Sequence, residues 1–526
     1  MLAHQNSYDS IVIGAGACGC WAAKILAEGG LSTLLVDAGP EVSRASQEAT
    51  HASRRPRQHI QSRSGIYGPE TSHLFVDDTD NPYRTPEENE FIYIRGRQVG
   101  GRAHQWGRCV YRFSDFEFKN ASRDGIGEDW PIEYADLAAA YDEVESYLLV
   151  RGSTEGLRQL PDGRFLTPGC LSDGERRLAA AIAKKSRPEE RLITARQMLG
   201  EFTWLLNAAE ATGRLTVRPD TVVSRLVTDD DSGRVGGILF MDRVSREEHL
   251  VKAPVVFLCA STIESTRLLL NSASARHPGG IGASSGVLGN YLMDHAYSFP
   301  VRVAGVVPDA RRIRPESYGA LKVASAMAYI PNFRNLDRLR SDFFRGWAAE
   351  VGVGRGSSPF GGSEMRAIID EAEATKSSEF WIRTMGEVLP LRENRVTVDP
   401  DQKDAWGIPV ARIELQHGDN EKAMAKDQLG WILETVQAAG FEVRLESLAN
   451  AAPGECIHEL GSTRMGTKPE GSVLNKFNQV WDAPNLFVTG GGAFVSGGTQ
   501  NPTLTMMALT VRACEHAIRQ LKRGEL

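Results

Sequence analysis

Residues 8–40 read YDSIVIGAGACGCWAAKILAEGGLSTLLVDAGP. A strand is expected over 9–13, DSIVI, followed directly by Gly14-Ala15-Gly16-Ala17-Cys18-Gly19. A helix is expected over 18–27 and a second strand over 33–36, which makes a strand–turn–helix–strand unit with its strands parallel. In such a unit the first glycine permits the tight turn. The second lets the backbone approach a pyrophosphate, and the third lets helix and strand pack closely. The helix start offers free N–H groups and a positive dipole end to the phosphates. Asp37 stands 18 residues beyond Gly19, at the end of the second strand. An acid there accepts hydrogen bonds from ribose hydroxyls and repels a 2′-phosphate. The unit predicts a dinucleotide site.

The other end of the chain bears on which dinucleotide. Residues 484–490 read as a strand running into Gly490-Gly491-Gly492, and Asn501-Pro502-Thr503 opens a helix expected to reach about Leu521. Pro502 suits a first helical turn, and Asn501 before it is a good N-cap residue. A second helix start near the cofactor favours negative charge on a reduced ring, which points to a flavin. Between the ends, 215–217, 221–227 and 237–242 read as strands and hairpins, 253–259 as a buried strand, and 136–149 as a helix. Residues 46–90 are polar and without period, as in a long loop or lid. First and last segments are therefore expected to share one sheet.

Composition narrows the alternatives. The chain has 526 residues, 41% apolar and 24% charged, as in ordinary globular proteins. Its net charge of −7 argues against a nucleic-acid partner. The seven cysteines are odd in number and scattered, so neither a disulfide framework nor a metal site is expected. With no basic stretch in MLAHQNSYDSIVIG, no secretion signal is expected. The charge-free stretch 485–511 is broken by glycines, Gln500, Asn501 and Pro502, a poor membrane span. A cytoplasmic location is expected. Gly282-Ala283-Ser284-Ser285-Gly286 fits the hydrolase pattern GxSxG, but a loop precedes it where a nucleophile elbow needs a strand.

Further blocks follow in order: RGRQVGGRAHQWGR, VVFLCASTIESTRLLLNS, GVLGNYLMDH, HELGSTRMG and NLFVTGGGAFVSGGTQNPTLTMMAL. Together with the first block, they resemble the glucose–methanol–choline (GMC) oxidoreductases, most closely the pyranose oxidase and glycoside 3-oxidase branch. The resemblance implies an α/β fold. A Rossmann-like FAD-binding domain would be assembled from discontinuous segments, 1–45, 88–125, 195–300 and 450–526. A mixed α+β substrate-binding domain would comprise 126–194 and 301–449, with 46–87 the lid or long loop. It implies His458 as catalytic base and Asn501, 43 residues later, as its partner. Expected cofactor contacts are Gly14, Gly16, Ala17, Cys18, Gly19, Asp37, Ala38, Arg97, Gly100, Gly101, Val223, Ala260, Gly492, Ala493, Pro502 and Thr503.

The residue types suit alcohol oxidation, which removes a hydroxyl proton and a carbon-bound hydride. Histidine is the natural base near neutral pH. His295 reads as a structural histidine, Trp106 as a wall near the flavin, and Met465, Met506 and Met507 as packing. The expected substrate is a hydroxyl of a sugar or glycoside. The alternatives are an aminoglycoside-type or non-sugar alcohol, and a flavin-binding protein without turnover. Gly107 stands where the pyranose oxidase pattern carries a larger polar residue, which leaves the electron acceptor open between dioxygen and another molecule. Oligomeric state is unreadable. Many relatives tether the flavin through a histidine just before the Trp of this block. Here Gln105 holds that place and His104 is one residue early. In an extended segment that shift points the side chain to the opposite face, so FAD is expected to be held without a covalent bond.

Overall fold

A computed structural model describes residues 7–42, 74–104, 106–185, 187–229, 231–296, 301–311, 327–355, 363–448 and 452–526. Ser10–Ile13, buried at all four positions, lies in a six-stranded sheet. Thr33–Val36 and Val255–Leu258 flank it in parallel, with Ser10 opposite both Thr33 and Val255. Leu215–Arg218 and Ala483–Val488 extend the two sides, also parallel, and Gln479–Val480 closes one edge antiparallel. These central strands are continuous apolar runs because both faces are covered. Helices Ala17–Glu28, Tyr134–Tyr147, Phe202–Ala211 and Thr503–Arg523 pack on one another and share one core with the sheet. An antiparallel sheet of Thr221–Thr228, Val235–Asp242 and Glu248–Lys252 packs alongside. Chain ends far apart in sequence thus meet in one Rossmann-like α/β layer, as expected.

A second six-stranded sheet has the order Glu442–Leu448, Val301–Val307, Ser378–Gly386, Trp347–Val353, Ala328–Ile330, Ile193–Thr194, with every pairing antiparallel. Helices Ser363–Ala374 and Asp419–Ala438 pack on it. Trp347–Val353 is buried throughout, yet it carries Glu350 directly opposite Arg383 on the neighbouring strand.

Of the expected lid, residues 46–73 lie outside the described residues. In the remainder, Phe75, Val76, Asp78 and Tyr83 are buried, so this part is a packed wall. The GxSxG stretch forms a short turn, Ala283–Ser285, whose Ser284 hydroxyl is bonded to Asp482. It is not a nucleophile elbow.

The first turn is set by close backbone approach. Gly14 has φ +96°, and a Cβ there would lie 2.7 Å from the carbonyl oxygen of Cys259. A Cβ on Gly19 would lie 1.7 Å from the carbonyl oxygen of Gly14, whereas one on Gly16 would meet nothing within 4 Å. Gly19→Ala is therefore expected to destabilise the ligand-free protein by about 1–3 kcal/mol through overpacking. Gly16→Ala should change stability by less than about 0.5 kcal/mol. Urea midpoints of the two variants check this.

Candidate active site

One cavity of about 1110 Å³ runs from the first glycine turn to the start of helix Thr503–Arg523. Ordinary ligand pockets hold about 300–1,000 Å³, so this one has room for an elongated dinucleotide and a small substrate together. Of the expected cofactor contacts, Gly14, Gly16, Ala17, Cys18, Asp37, Ala38, Arg97, Gly101, Val223, Ala260, Pro502 and Thr503 line it. The other four stand behind its wall. Gly19 makes the close approach just described. The Gly100 N–H donates to the Ala15 carbonyl at 2.8 Å. Gly492 and Ala493 lie in a buried turn, Gly491–Ala493, with their carbonyls accepting from the Thr463 and Met465 N–H groups.

At the nucleotide end, the Asp37 carboxylate accepts N–H bonds from Ala15 and Gly39, both at 2.9 Å. Burial pushes its pKa up, and these two bonds oppose the shift. Neither helix start facing the cavity has a side-chain cap, so its first N–H groups are open to an anion. Asn501 does not cap helix Thr503–Arg523; Pro502 occupies the N-cap position. Glu264, Arg267 and Arg95 also line this end and were not singled out from sequence. Burial alone would raise the Glu264 pKa, but Arg267, Arg97 and Arg95 bring it down to about 2. Such a cluster has no fixed spacing that would announce it. The open helix starts, the glycine cradle and the long cavity fit FAD.

His458 and Asn501 line the other end of the same cavity. Backbone pairing of Met293 with Leu460 lays the Met-Asp-His segment beside His458. His295, expected as structural, is thereby brought against the candidate base: the two Nδ1 atoms are 2.9 Å apart. The Cys456 sulfur lies 3.4 Å from His458 Nδ1. The Asp294 carboxylate accepts the N–H groups of His295, His458 and Gly454 at 2.8, 3.0 and 3.0 Å. Burial and Glu459 push the Asp294 pKa up to about 7. Burial lowers that of His295 to about 4. Burial, then His295, Arg383 and Arg102, hold His458 well below 6.5, so it is neutral at pH 7. His295, Cys456 and His458 offer ligand atoms within 4.8 Å of one another. The nitrogen–nitrogen contact is a hydrogen bond, however; two imidazoles on one tetrahedral zinc stand about 3.3 Å apart.

Glu350 and Arg383 also line this end. Arg383 Nε donates to Glu350 Oε2 at 2.6 Å. Asn501 Nδ2 lies 3.5 Å from Glu350 Oε1, and Asn501 Oδ1 is buried with no hydrogen-bond partner among the described residues. Cys109, Met327 and Met385 supply apolar wall. Trp106 is in that wall as expected, packed on Phe202 with ring centroids 5.3 Å apart. Glu350 carried a signal that went unused: a charge in the middle of an otherwise apolar strand, WAAEVGV.

Gln105 lies outside the described residues. His104 ends a 3₁₀ turn, Gly101–His104, so the segment is not extended and the alternation of faces does not apply to it. His104 Nε2 instead donates to the Val99 carbonyl at 2.7 Å.

The GMC oxidoreductase profile matches residues 8–297 and again 390–510. The chain is similar to 2-methyl-1,2-propanediol dehydrogenase of Mycolicibacterium austroafricanum, at 28% identity over 99% of this chain and 97% of that one. It is similar to the fructose dehydrogenase large subunit of Gluconobacter japonicus, at 27% identity over 98% and 99%. C-glycoside 3-oxidase and pyranose 2-oxidase are also among its relatives. In fold it resembles a formate oxidase variant from Aspergillus oryzae, with TM-score 0.68 and 14% identity over the full length of both chains. No helix among the described residues is long and apolar enough to cross a membrane. With more than half its length matched, and with a cleft that fits FAD, the chain belongs to the GMC oxidoreductase family.

Proposed function

We propose that the protein oxidises a hydroxyl of a sugar or glycoside to a carbonyl, with His458 as general base and FAD held non-covalently. The observation that carries this reading is the meeting of His458, Asn501 and the Glu350–Arg383 pair at one end of the cavity that begins at the first glycine turn. FAD, when bound, supplies the acceptor for the hydride. His458, neutral at pH 7, takes the hydroxyl proton. Asn501, whose Nδ2 is shared with Glu350 and whose Oδ1 has no protein partner among the described residues, orients the substrate through its amide. Glu350 accepts and Arg383 donates, a combination suited to neighbouring hydroxyls of an uncharged polyol. Segments of the first sheet would hold the cofactor and the second sheet the substrate. With no disulfide among the described residues, the seven cysteines support a reducing, cytoplasmic setting. A second reading, a short non-sugar diol, is favoured by the relative that acts on 2-methyl-1,2-propanediol and by the apolar side of the wall.

The test is anaerobic reduction of the yellow protein with a panel of sugars, glycosides, aminoglycosides and short diols. Bleaching by a sugar or glycoside is expected. Bleaching only by small diols would move the assignment to the second reading, and no bleaching at all would remove both. Readmitted oxygen then separates oxidase from dehydrogenase behaviour.

His458→Ala is expected to keep its FAD and to lose about 10²–10⁴-fold in flavin reduction. A base with a lowered pKa stays unprotonated as the pH falls past 6.5. The wild-type reduction rate should therefore stay level through that point and drop only well below it, as stopped-flow traces across pH would show.

Asp37→Ala removes the ribose acceptor and frees the N–H groups of Ala15 and Gly39. Losing a charged hydrogen bond costs about 1.5–3 kcal/mol. FAD affinity should fall about 10- to 150-fold, visible as flavin lost on dialysis.

The engaged Nε2 of His104 supports non-covalent binding. Acid precipitation should leave the flavin in the supernatant; a washed pellet that stays yellow would show a covalent link.

A further inference from the structure

His295 is connected on both sides of its ring. Its Nε2 lies 3.0 Å from the carbonyl oxygen of Gly498, three residues before Asn501. A carbonyl only accepts, so this nitrogen carries the proton. A neutral imidazole protonated at Nε2 presents Nδ1 as an acceptor. The atom 2.9 Å from that acceptor is Nδ1 of His458, which must then be the donor. His458 is left with its lone pair on Nε2, for which no protein partner is found among the described residues, and its ring lines the cavity. Asp294 holds the backbone N–H groups of both histidines on one carboxylate oxygen, which fixes the spacing of the pair.

We propose that His295 is a positioning residue: it holds His458 as the Nδ1–H tautomer, so that Nε2 meets the substrate hydroxyl as a lone pair. The purpose of this arrangement rests on the proposed alcohol oxidation, but the tautomer itself does not. In the reaction the substrate O–H bond breaks and a His458 Nε2–H bond forms. The resulting imidazolium keeps its Nδ1–H on His295, and no proton passes to His295. The other tautomer would present an N–H to the substrate hydroxyl and could not take its proton.

The test is ¹⁵N NMR of histidine-labelled, FAD-loaded protein, with His458 assigned among the 11 histidines by its loss in His458→Ala. His458 should show a protonated Nδ1 and a bare Nε2. His295→Phe should convert it to the Nε2–H form or to a mixture. His295→Asn, which keeps an acceptor facing His458, should preserve the Nδ1–H form. Flavin reduction at saturating substrate should fall about 10²-fold in His295→Phe and largely recover in His295→Asn. Flavin content and substrate Kd should change by less than about twofold in both variants. A wild-type His458 protonated at Nε2, or a His295→Phe variant reducing at the wild-type rate, would overturn the proposal. A wild type with the expected tautomer that no alcohol reduces would leave the positioning intact and sink the proposed function alone.

Discussion

At the carboxyl end of strand Ser10–Ile13, three stretches of backbone touch with no side chain between them. Gly14 lies against Cys259, and Gly19 lies against Gly14. This contact seats helix Ala17–Glu28 on the sheet and opens the cleft beyond the strand ends, where ligands of open α/β sheets bind. The rest of the site is laid out from the same edge. The Thr489 N–H donates to the Leu258 carbonyl, which carries the sheet into the tail glycines. Gly461, Thr463 and Met465 then donate to Gly491, Gly492 and Ala493. That short ladder is what brings the segment holding His458 to the segment holding Asn501.

The parts of this site that could be read from sequence are those where backbone conformation restricts residue choice. A positive φ at Gly14 and a missing Cβ at Gly19 leave a spacing that any reader of the chain can find. His458 and Asn501 came instead from the resemblance of their blocks to a known family, not from any backbone rule. His295 was visible only as a histidine. Its importance comes from the Met293–Leu460 pairing, which joins residues more than 160 positions apart. No local pattern encodes such a contact. The Glu264 cluster was hidden similarly, since Arg95 and Arg97 reach it from a segment more than 160 residues away, while only Arg267 is local. His104 shows the opposite failure. A rule for extended chain was applied to a segment that turns, because Gly100 and Gly101 both take positive φ.

Electrostatically, the two ends of the cleft differ. The nucleotide end keeps its charges ionised by packing arginines around Glu264. At the reacting end, beside the Glu350–Arg383 pair, burial disfavours the imidazolium of both histidines and, with Glu459, raises Asp294 to about 7. A base in such surroundings takes a proton only when a strong local need arises. The same surroundings give each hydrogen bond that orients it more weight than it would have in water.

The Glu350–Arg383 pair has a consequence beyond binding. The two residues are direct partners on adjacent antiparallel strands, both aimed into the cleft. Side chains alternate faces along a strand, so sliding either strand by one residue would turn its charge away from the cleft and bury it alone in an apolar layer. These two central strands of the second sheet therefore have one admissible alignment, enforced by a polar pair as well as by hydrophobic residues. Loops and helices around that sheet can change in length and composition while the alignment stays locked, which leaves the shape of the substrate end free to vary on a floor that cannot shift.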